Sequence, residues 1–177
     1  GLTRPLAVRS SSILEDSRYQ PFAGIYSTYL VPKHDKVTDT LADIQTAIKS
    51  VYASVFFRAS KAYMAATSNI IDQEKLGILL QAVCGVEHKG LFFPTLSGVA
   101  RSVNHYPVGA EKPTEGVATV AMGLGRHITN GEVAIRFSPQ NPKRILQLSQ
   151  PDMALRQTQK VFYALSTKTA PFRLTTN

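Results

Sequence analysis

Between Val37 and Ala59 the apolar residues Val37, Leu41, Ile44, Ile48, Val51, Val55 and Ala59 recur at steps of three and four. This spacing puts them on one side of an α-helix as a stripe about 100° wide, which needs a facing layer to bury it. Thr38 or Thr40 can cap its start, and Thr40 with Asp43 has capping-box spacing. The pattern predicts one long helix running to about Ala66, with Tyr52, Phe56, Phe57 and Tyr63 as core aromatics at its end.

The facing layer is predicted as strands. Leu6–Arg9 reads as a short strand, and Ile25–Val31 as a β-branched and aromatic strand that Pro32 stops. From Gly77 onward strands are expected at Ile78–Val83, Gly98–Val103, Gly116–Met122 and Glu132–Phe137, separated by turn residues such as Gly85, Gly90, Pro107, Gly109 and Asn130-Gly131. Pro139 and Pro142 end the strand region, and a helix over Asp152–Leu165 leads to a polar tail. A helix followed by consecutive strands predicts an α+β fold with a mainly antiparallel sheet, rather than a doubly wound parallel one.

The 177 residues suffice for one domain with its own core. With 44 % hydrophobic and 18 % charged residues the chain is too apolar for a disordered one. The single cysteine, Cys84, excludes a disulfide framework and a multi-thiolate zinc site, and reads as a buried small hydrophobe in a cytoplasmic protein. No run approaches the ~20 apolar residues that span a bilayer. Gly1-Leu2-Thr3-Arg4-Pro5 leads at once into strand-like sequence, as an excised fragment does. The net charge of +8 suits a polyanion, either nucleotide polyphosphate or nucleic acid. The basic residues form no long run and are not interleaved with aromatics as stacking platforms are.

One stretch suggests which anion. Arg9 stands where a strand gives way to Ser10-Ser11-Ser12, whose hydroxyl and N–H groups can donate to oxyanions beside a planar guanidinium fork. Gly24 would let backbone approach a ligand closely, and Thr28 would add a hydroxyl donor. By themselves these residues read more readily as a surface loop with a solvated arginine.

The longer string is more specific. Val8-Arg9-Ser10-Ser11-Ser12, Glu15-Asp16, Phe22-Ala23-Gly24 and Thr28-Tyr29-Leu30 resemble the V-R-S-S-A-x-x-E-D…F-A-G…T-x-L signature of phosphoenolpyruvate synthases and their relatives, among them pyruvate phosphate dikinase, the glucan and water dikinases and rifampin phosphotransferase. Val51-Tyr52-Ala53-Ser54-Val55-Phe56 is similar to the family's W-A-S-L-F helix, and Leu79-Leu80-Gln81-Ala82-Val83 to its V-V-Q-x-M-V strand. Ser97-Gly98-Val99 and Gly123-Leu124-Gly125 with Gly131-Glu132 continue the likeness, in order, over residues 5–140.

That resemblance implies an ATP-grasp-like domain that binds ATP with magnesium. Arg9 would contact the phosphates, Gly24 and Thr28 would form the phosphate loop, Gln81 would lie near the adenine, and backbone groups of Ala82 and Val83 would meet the purine edge. Residues 1–76 would hold the phosphate-loop strand and long helix, 77–140 the adenine side, and 141–177 a helix and tail. In whole phosphoenolpyruvate synthases a histidine on a swivelling domain attacks ATP, AMP leaves and the phosphate passes to pyruvate, by positioning and charge neutralisation; in a related dikinase or antibiotic phosphotransferase, the alternative reading, the final acceptor differs.

The departures imply a partial site. The family's G-G-K-x-x-x-L lysine motif has no match here, and neither has its Q-D-I-E…Q-x-R segment, which supplies the magnesium carboxylates. Arg144-Ile145-Leu146-Gln147-Leu148 imitates the end of that segment without its acidic pair or arginine. The metal ligands, the phosphohistidine domain and the pyruvate-binding domain are therefore expected outside this chain, which alone should be inactive. Ser27 stands where the family has an acidic or amide residue, and Arg101 where an aromatic is usual after Ser-Gly-Val.

The other candidates read as structural. His34, His88, His105 and His127 lack ligand spacing with any carboxylate or thiol. Glu15-Asp16 reads as solvated turn charge. Gly123-Leu124-Gly125 reads as a turn, with neither the third glycine nor the following helix of a dinucleotide fingerprint.

Overall fold

The computed structural model describes residues 3–12, 26–66 and 75–167. The chain is α+β, built from small antiparallel sheets and a few helices. It divides into two compact units, residues 1–84 with 165–177, and residues 85–164.

The first unit holds β1 (Leu6–Ser12), β2 (Tyr29–Val31) and β3 (Leu76–Ala82) in the order β2-β1-β3. Both pairings of β1 are antiparallel, with Val8 opposite Tyr29 on one side and Leu80 on the other. Strand alternation divides β1 cleanly: Leu6, Val8, Ser10 and Ser12 are buried, while Arg9 and Ser11 are exposed. The buried face packs on α1 (Val37–Ser54), forming a core of Leu6, Val8, Tyr29, Val31, Ala47 and Val51 with Ile44, Ile48, Leu76 and Ile78 at its edge.

The sequence expectation for this unit needs several corrections. The long helix is two helices, because Val55–Phe57 form a turn before α2 (Arg58–Ala66). The last turn of α1 tightens to three-residue bonds: Val55, Phe56 and Phe57 donate to Tyr52, Ala53 and Ser54 carbonyls at 3.3, 3.0 and 3.2 Å. Ser60 Oγ donates to the Ser54 carbonyl at 2.7 Å, so a buried hydroxyl caps the helix end. No side chain caps the start of α1: Thr40 is buried, accepting the His34 N–H at 3.2 Å, and takes part in no capping box. The apolar stripe is buried only in its middle, since Val37 and Leu41 are 79 % and 53 % exposed and Ala59 is also exposed. Tyr52, Phe56 and Phe57 are exposed too, and of the four aromatics only Tyr63 packs, against Tyr26, Val55 and Met64. Tyr26–Thr28 are not strand, so β2 is shorter than expected, and Ile25 lies outside the described residues. Cys84 is exposed rather than buried, as β3 has already ended at Ala82.

In the second unit, β4 (Val86–His88) and β5 (Leu91–Phe93) form a hairpin that the sequence reading missed. Lys89 and Gly90 turn it with φ of 51° and 88°. Positive φ at both central residues is the primed turn that suits strand twist, but lysine at its first position hides the signal. Strands β6 (Leu96–Arg101), β7 (Val117–Met122) and β8 (Ile135–Phe137) make an antiparallel sheet in that order. So of the strands expected after Gly77, only β3 shares a sheet with β1 and α1. The rest belong to the second unit.

The one-turn helix α3 (Arg126–Thr129) does follow Gly123-Leu124-Gly125, contrary to expectation. Gly123 has φ +80°, and a Cβ there would stand 2.6 Å from the Tyr163 carbonyl oxygen, so glycine is required. The last helix, α4 (Pro151–Gln157), stops well short of Leu165. The chain extends at Thr158, and the Gln159 amide accepts the Met122 N–H at 2.8 Å and donates to the Met122 carbonyl at 2.9 Å. A side-chain amide thus takes the place of a ladder neighbour beside β7, which outweighs local helix propensity.

Candidate nucleotide-binding face

The face of β2-β1-β3 that alternates away from α1 carries the candidate site. Arg9 pairs across the sheet with Leu79, Ala7 with Gln81 and Ser11 with Gly77, so these residues share one face. Arg9 and Gln81 are diagonal neighbours, a relation that separates Cβ atoms by ~7–8 Å and lets long side chains reach one ligand. Both are exposed, as are Ser11 and Leu79. No carboxylate stands on this face among the described residues, so Arg9 supplies an unopposed positive charge. Leu79, 45 % exposed, gives an apolar surface beside it that a flat ring could cover.

The remaining expected site residues fare differently. Thr28 is half-buried and sits one residue before β2, at the end of the sheet near Val8 and Arg9. Gly24 lies outside the described residues, with Glu15 and Asp16. Ala82 stands opposite Leu6, so it alternates to the other side of the sheet from Gln81. The Val83 N–H donates to the Pro5 carbonyl at 2.9 Å, so a purine edge would have to use other backbone groups here. The serine run is also divided. Ser10 and Ser12 are 5 % and 4 % exposed on the core side, and only Ser11 shares the face of Arg9.

Sequence reasoning missed a second polar centre, in the second unit. Arg136 on β8 donates from Nη1 to Glu111 Oε1 at 3.0 Å and from Nη2 to Glu111 Oε2 at 2.8 Å, a bidentate pair. Asn104, 2 % exposed, donates to Glu111 Oε2 at 2.9 Å and accepts from Arg136 Nη2 at 3.2 Å. Arg136 Nη2 also reaches the Tyr106 carbonyl at 3.0 Å, and the Val108 N–H reaches Glu111 at 3.0 Å. The bonds from Arg136 hold the Glu111 carboxyl down at about 2, well below the ordinary carboxylate value, with the Val108 and Asn104 donors adding to the effect. The only signal in the sequence was an arginine inside an otherwise apolar strand.

Two of the four histidines, His34 and His127, have structural surroundings, while His88 and His105 are exposed. His34 Nε2 lies 2.6 Å from Asp43 Oδ2. His127 is buried, with Nε2 2.9 Å from the Val161 carbonyl and Nδ1 2.8 Å from Glu132 Oε2. Among the described residues no three His, Cys, Asp or Glu side chains gather as a metal site would need. Glu111 is engaged by Arg136 and Glu132 lies against His127, and the described carboxylates are not clustered as magnesium would require. No described helix is long and apolar enough to cross a membrane.

Over 130 residues, 73 % of its length, the chain is 32 % identical to the uncharacterized phosphotransferase YvkC of Bacillus subtilis (strain 168). The match spans only 14 % of that relative. The sequence also matches the family described as the pyruvate phosphate dikinase AMP/ATP-binding domain, over residues 1–170. With that match covering nearly the whole chain, the protein belongs to the pyruvate phosphate dikinase AMP/ATP-binding domain family.

Proposed function

We propose that the chain is the ATP-binding portion of a phosphoenolpyruvate synthase-like phosphotransferase with an ATP-grasp-like fold. Residues 1–76 serve the phosphates, 77–140 the adenine side, and 141–177 complete the domain. ATP is held here for phosphoryl transfer to a histidine on another domain of a longer protein, and then to pyruvate. The observation that carries this reading is the exposed sheet face on which Arg9 and Gln81 are diagonal neighbours, in a chain of an AMP/ATP-binding family.

Each residue has a defined task in this reading. Arg9 grips phosphate oxygens with its fork and neutralises their charge, while the backbone at Gly24 and the Thr28 hydroxyl close the phosphate loop. Gln81 offers both a donor and an acceptor to the adenine edge, and Ala82 and Val83 border the ring with backbone groups other than the Val83 N–H. ATP supplies the transferable phosphoryl group. The magnesium that accompanies it draws its ligands from outside this chain, since the described residues gather no cluster of acidic ligands. The histidine and the pyruvate site likewise lie on other parts of the protein, so the chain alone turns nothing over.

Calorimetric titration of the chain with ATP, AMP and double-stranded DNA tests the reading. ATP with magnesium should bind more tightly than AMP, and Arg9→Ala should abolish that preference. Binding to DNA that weakens steeply with salt, without ATP preference, would instead support a basic nucleic-acid module.

A further inference from the structure

A pocket of ≈ 320 Å³ opens on the second unit, over the face of β6 and β7 that carries Val99, Arg101, Val117 and Thr119. Its apolar floor is Val99, Val117 and Ile128, and no aspartate or glutamate lines it. Arg101 ends β6 at its rim, exposed, and engages no carboxylate among the described residues. Tyr106 stands beside it, 85 % exposed.

The walls are fixed before any ligand arrives. The connection from β6 to β7 is anchored by Asn104, whose N–H donates to the Pro113 carbonyl at 2.8 Å and whose side chain bridges Glu111, Arg136 and the Tyr106 N–H. Arg136 also lines the pocket, but Glu111 neutralises its charge. The net positive charge facing the pocket therefore comes from Arg101. An apolar floor, an exposed phenol ring and an unopposed guanidinium suit a ligand with an aromatic body and an anionic group.

We infer that this pocket binds a small organic phosphate: Arg101 grips the phosphate, and an aromatic body lies on the floor against Tyr106. Arg101, like Ser27, departs from the family's sequence pattern, and the proposed nucleotide contacts do not use it. The inference does not rest on the named ATP contacts, Arg9, Gly24, Thr28, Gln81, Ala82 and Val83, which all belong to the first unit.

Phenyl phosphate is the probe, titrated into the full chain and followed by amide NMR. Shifts should cluster at Arg101, Tyr106 and Thr119, and Arg101→Ala should weaken binding about tenfold or more, since it removes a charge-assisted bidentate contact. Arg101→Lys should recover part of the loss, because a point charge lacks the planar fork. Inorganic phosphate should bind more weakly than phenyl phosphate, and Tyr106→Ala should narrow the gap between them. Should Arg101→Ala melt early, Arg101→Gln keeps the side-chain stem and carries the same expectation. Shifts scattered over the basic surface, equal affinity of wild type and Arg101→Ala, or equal affinity for the two phosphates would each overturn the inference. Added ATP distinguishes the source of the phosphate: displacement at Arg101 assigns it to the nucleotide, and undisturbed binding assigns it to a separate molecule. Loss of ATP affinity in Arg9→Ala is a separate readout, so either proposal can fail alone.

Discussion

The two units hold their sheets in place by different physics. In the first, the core beneath β1 is made of Leu6, Val8, Tyr29, Val31, Ala47 and Val51, all 8 % exposed or less. In the second, the buried apolar residues are small or few (Phe92, Ala118, Ala121, Leu124 and Ala134), and Asn104, His127 and Ser138 are buried with them. What replaces apolar volume there is the Arg136–Glu111–Asn104 network, which ties the β6–β7 connection to β8. The apolar core is non-directional and tolerates exchange of one hydrocarbon for another. The network is directional and fails when a single donor is lost. A ligand face on the first unit can therefore be a plain exposed sheet surface, whereas a pocket on the second has walls set by hydrogen bonds.

The largest expected effect tests the apolar side of this contrast. Tyr29→Ala empties the centre of the first core, where Tyr29 is 1 % exposed opposite Val8, and should cost about 3–5 kcal/mol in urea unfolding. A loss below about 1 kcal/mol would mean that burial does not carry this unit.

Next comes the site on the outer face of the same sheet. In the full-length parent, Arg9→Ala should raise the ATP requirement and cut turnover, through loss of a contact that contributes about 1.5–3 kcal/mol. Arg9→Lys should recover only part, and Arg156→Ala, an exposed arginine on α4, should leave both parameters near wild type. Because Arg9 faces away from the core, its variants should melt close to wild type. If Arg9→Ala melts early yet binds ATP normally, Arg9 has a packing role alone and the nucleotide face is wrongly placed.

The polar side of the contrast is tested through pH. Glu111 has a folded-state value lowered from 4.5 to about 2, so its contribution is full above 4.5 and is lost as pH falls towards 2. Melting of wild type should decline across that window with a component that Glu111→Gln lacks. At neutral pH Glu111→Gln should cost about 1–2 kcal/mol, the lower part of the range for charged hydrogen bonds, since the pair is partly open to water. Identical pH profiles for the two proteins would show that the pair contributes nothing to stability.

This contrast also decides what the sequence made legible. Period-two alternation within Leu6–Arg9 is enough to set Leu6 and Val8 on one face and Arg9 on the other, but the pairing of this strand with that of Gln81 is visible only in the structure. The α1 stripe was visible at Ile44, Ile48 and Val51, but periodicity cannot register that a helix is longer than the sheet beneath it, so Val37 and Leu41 protrude. Nor could it show the break after Ser54, which depends on Ser60 reaching back across the turn. The second unit was less legible because its order lies in pairings distant in sequence: Arg136 finds Glu111 across 25 positions and Gln159 finds Met122 across 37. Composition predicts neither partner. Of the candidate site, Arg9 and Gln81 share a face. Ala82 and the hydroxyls of Ser10 and Ser12 are turned elsewhere by alternation, which could have been read at the outset.

The smallest expected effect concerns a buried serine cluster inside the first unit, and it asks whether that unit resists single losses as its apolar core implies. Ser54 and Ser60 are both fully buried, and Ser60 Oγ donates to the Ser54 carbonyl at 2.7 Å. Ser54 Oγ in turn donates to the Val51 carbonyl at 2.6 Å and accepts the Ser27 N–H at 3.3 Å. Ser60→Ala removes one bond but orphans nothing completely, because the Ser54 carbonyl keeps the Phe57 N–H at 3.2 Å. The cost should stay near 1 kcal/mol, the net value of an ordinary hydrogen bond, rather than rise to the penalty of an unpaired buried acceptor. Urea unfolding gives the value, and amide exchange at Val55–Phe57 should speed up while exchange in β1 stays unchanged. A loss of about 3 kcal/mol with faster exchange in β1 would mean that hydrogen bonds govern the first unit as they do the second, and the distinction between the two would fall.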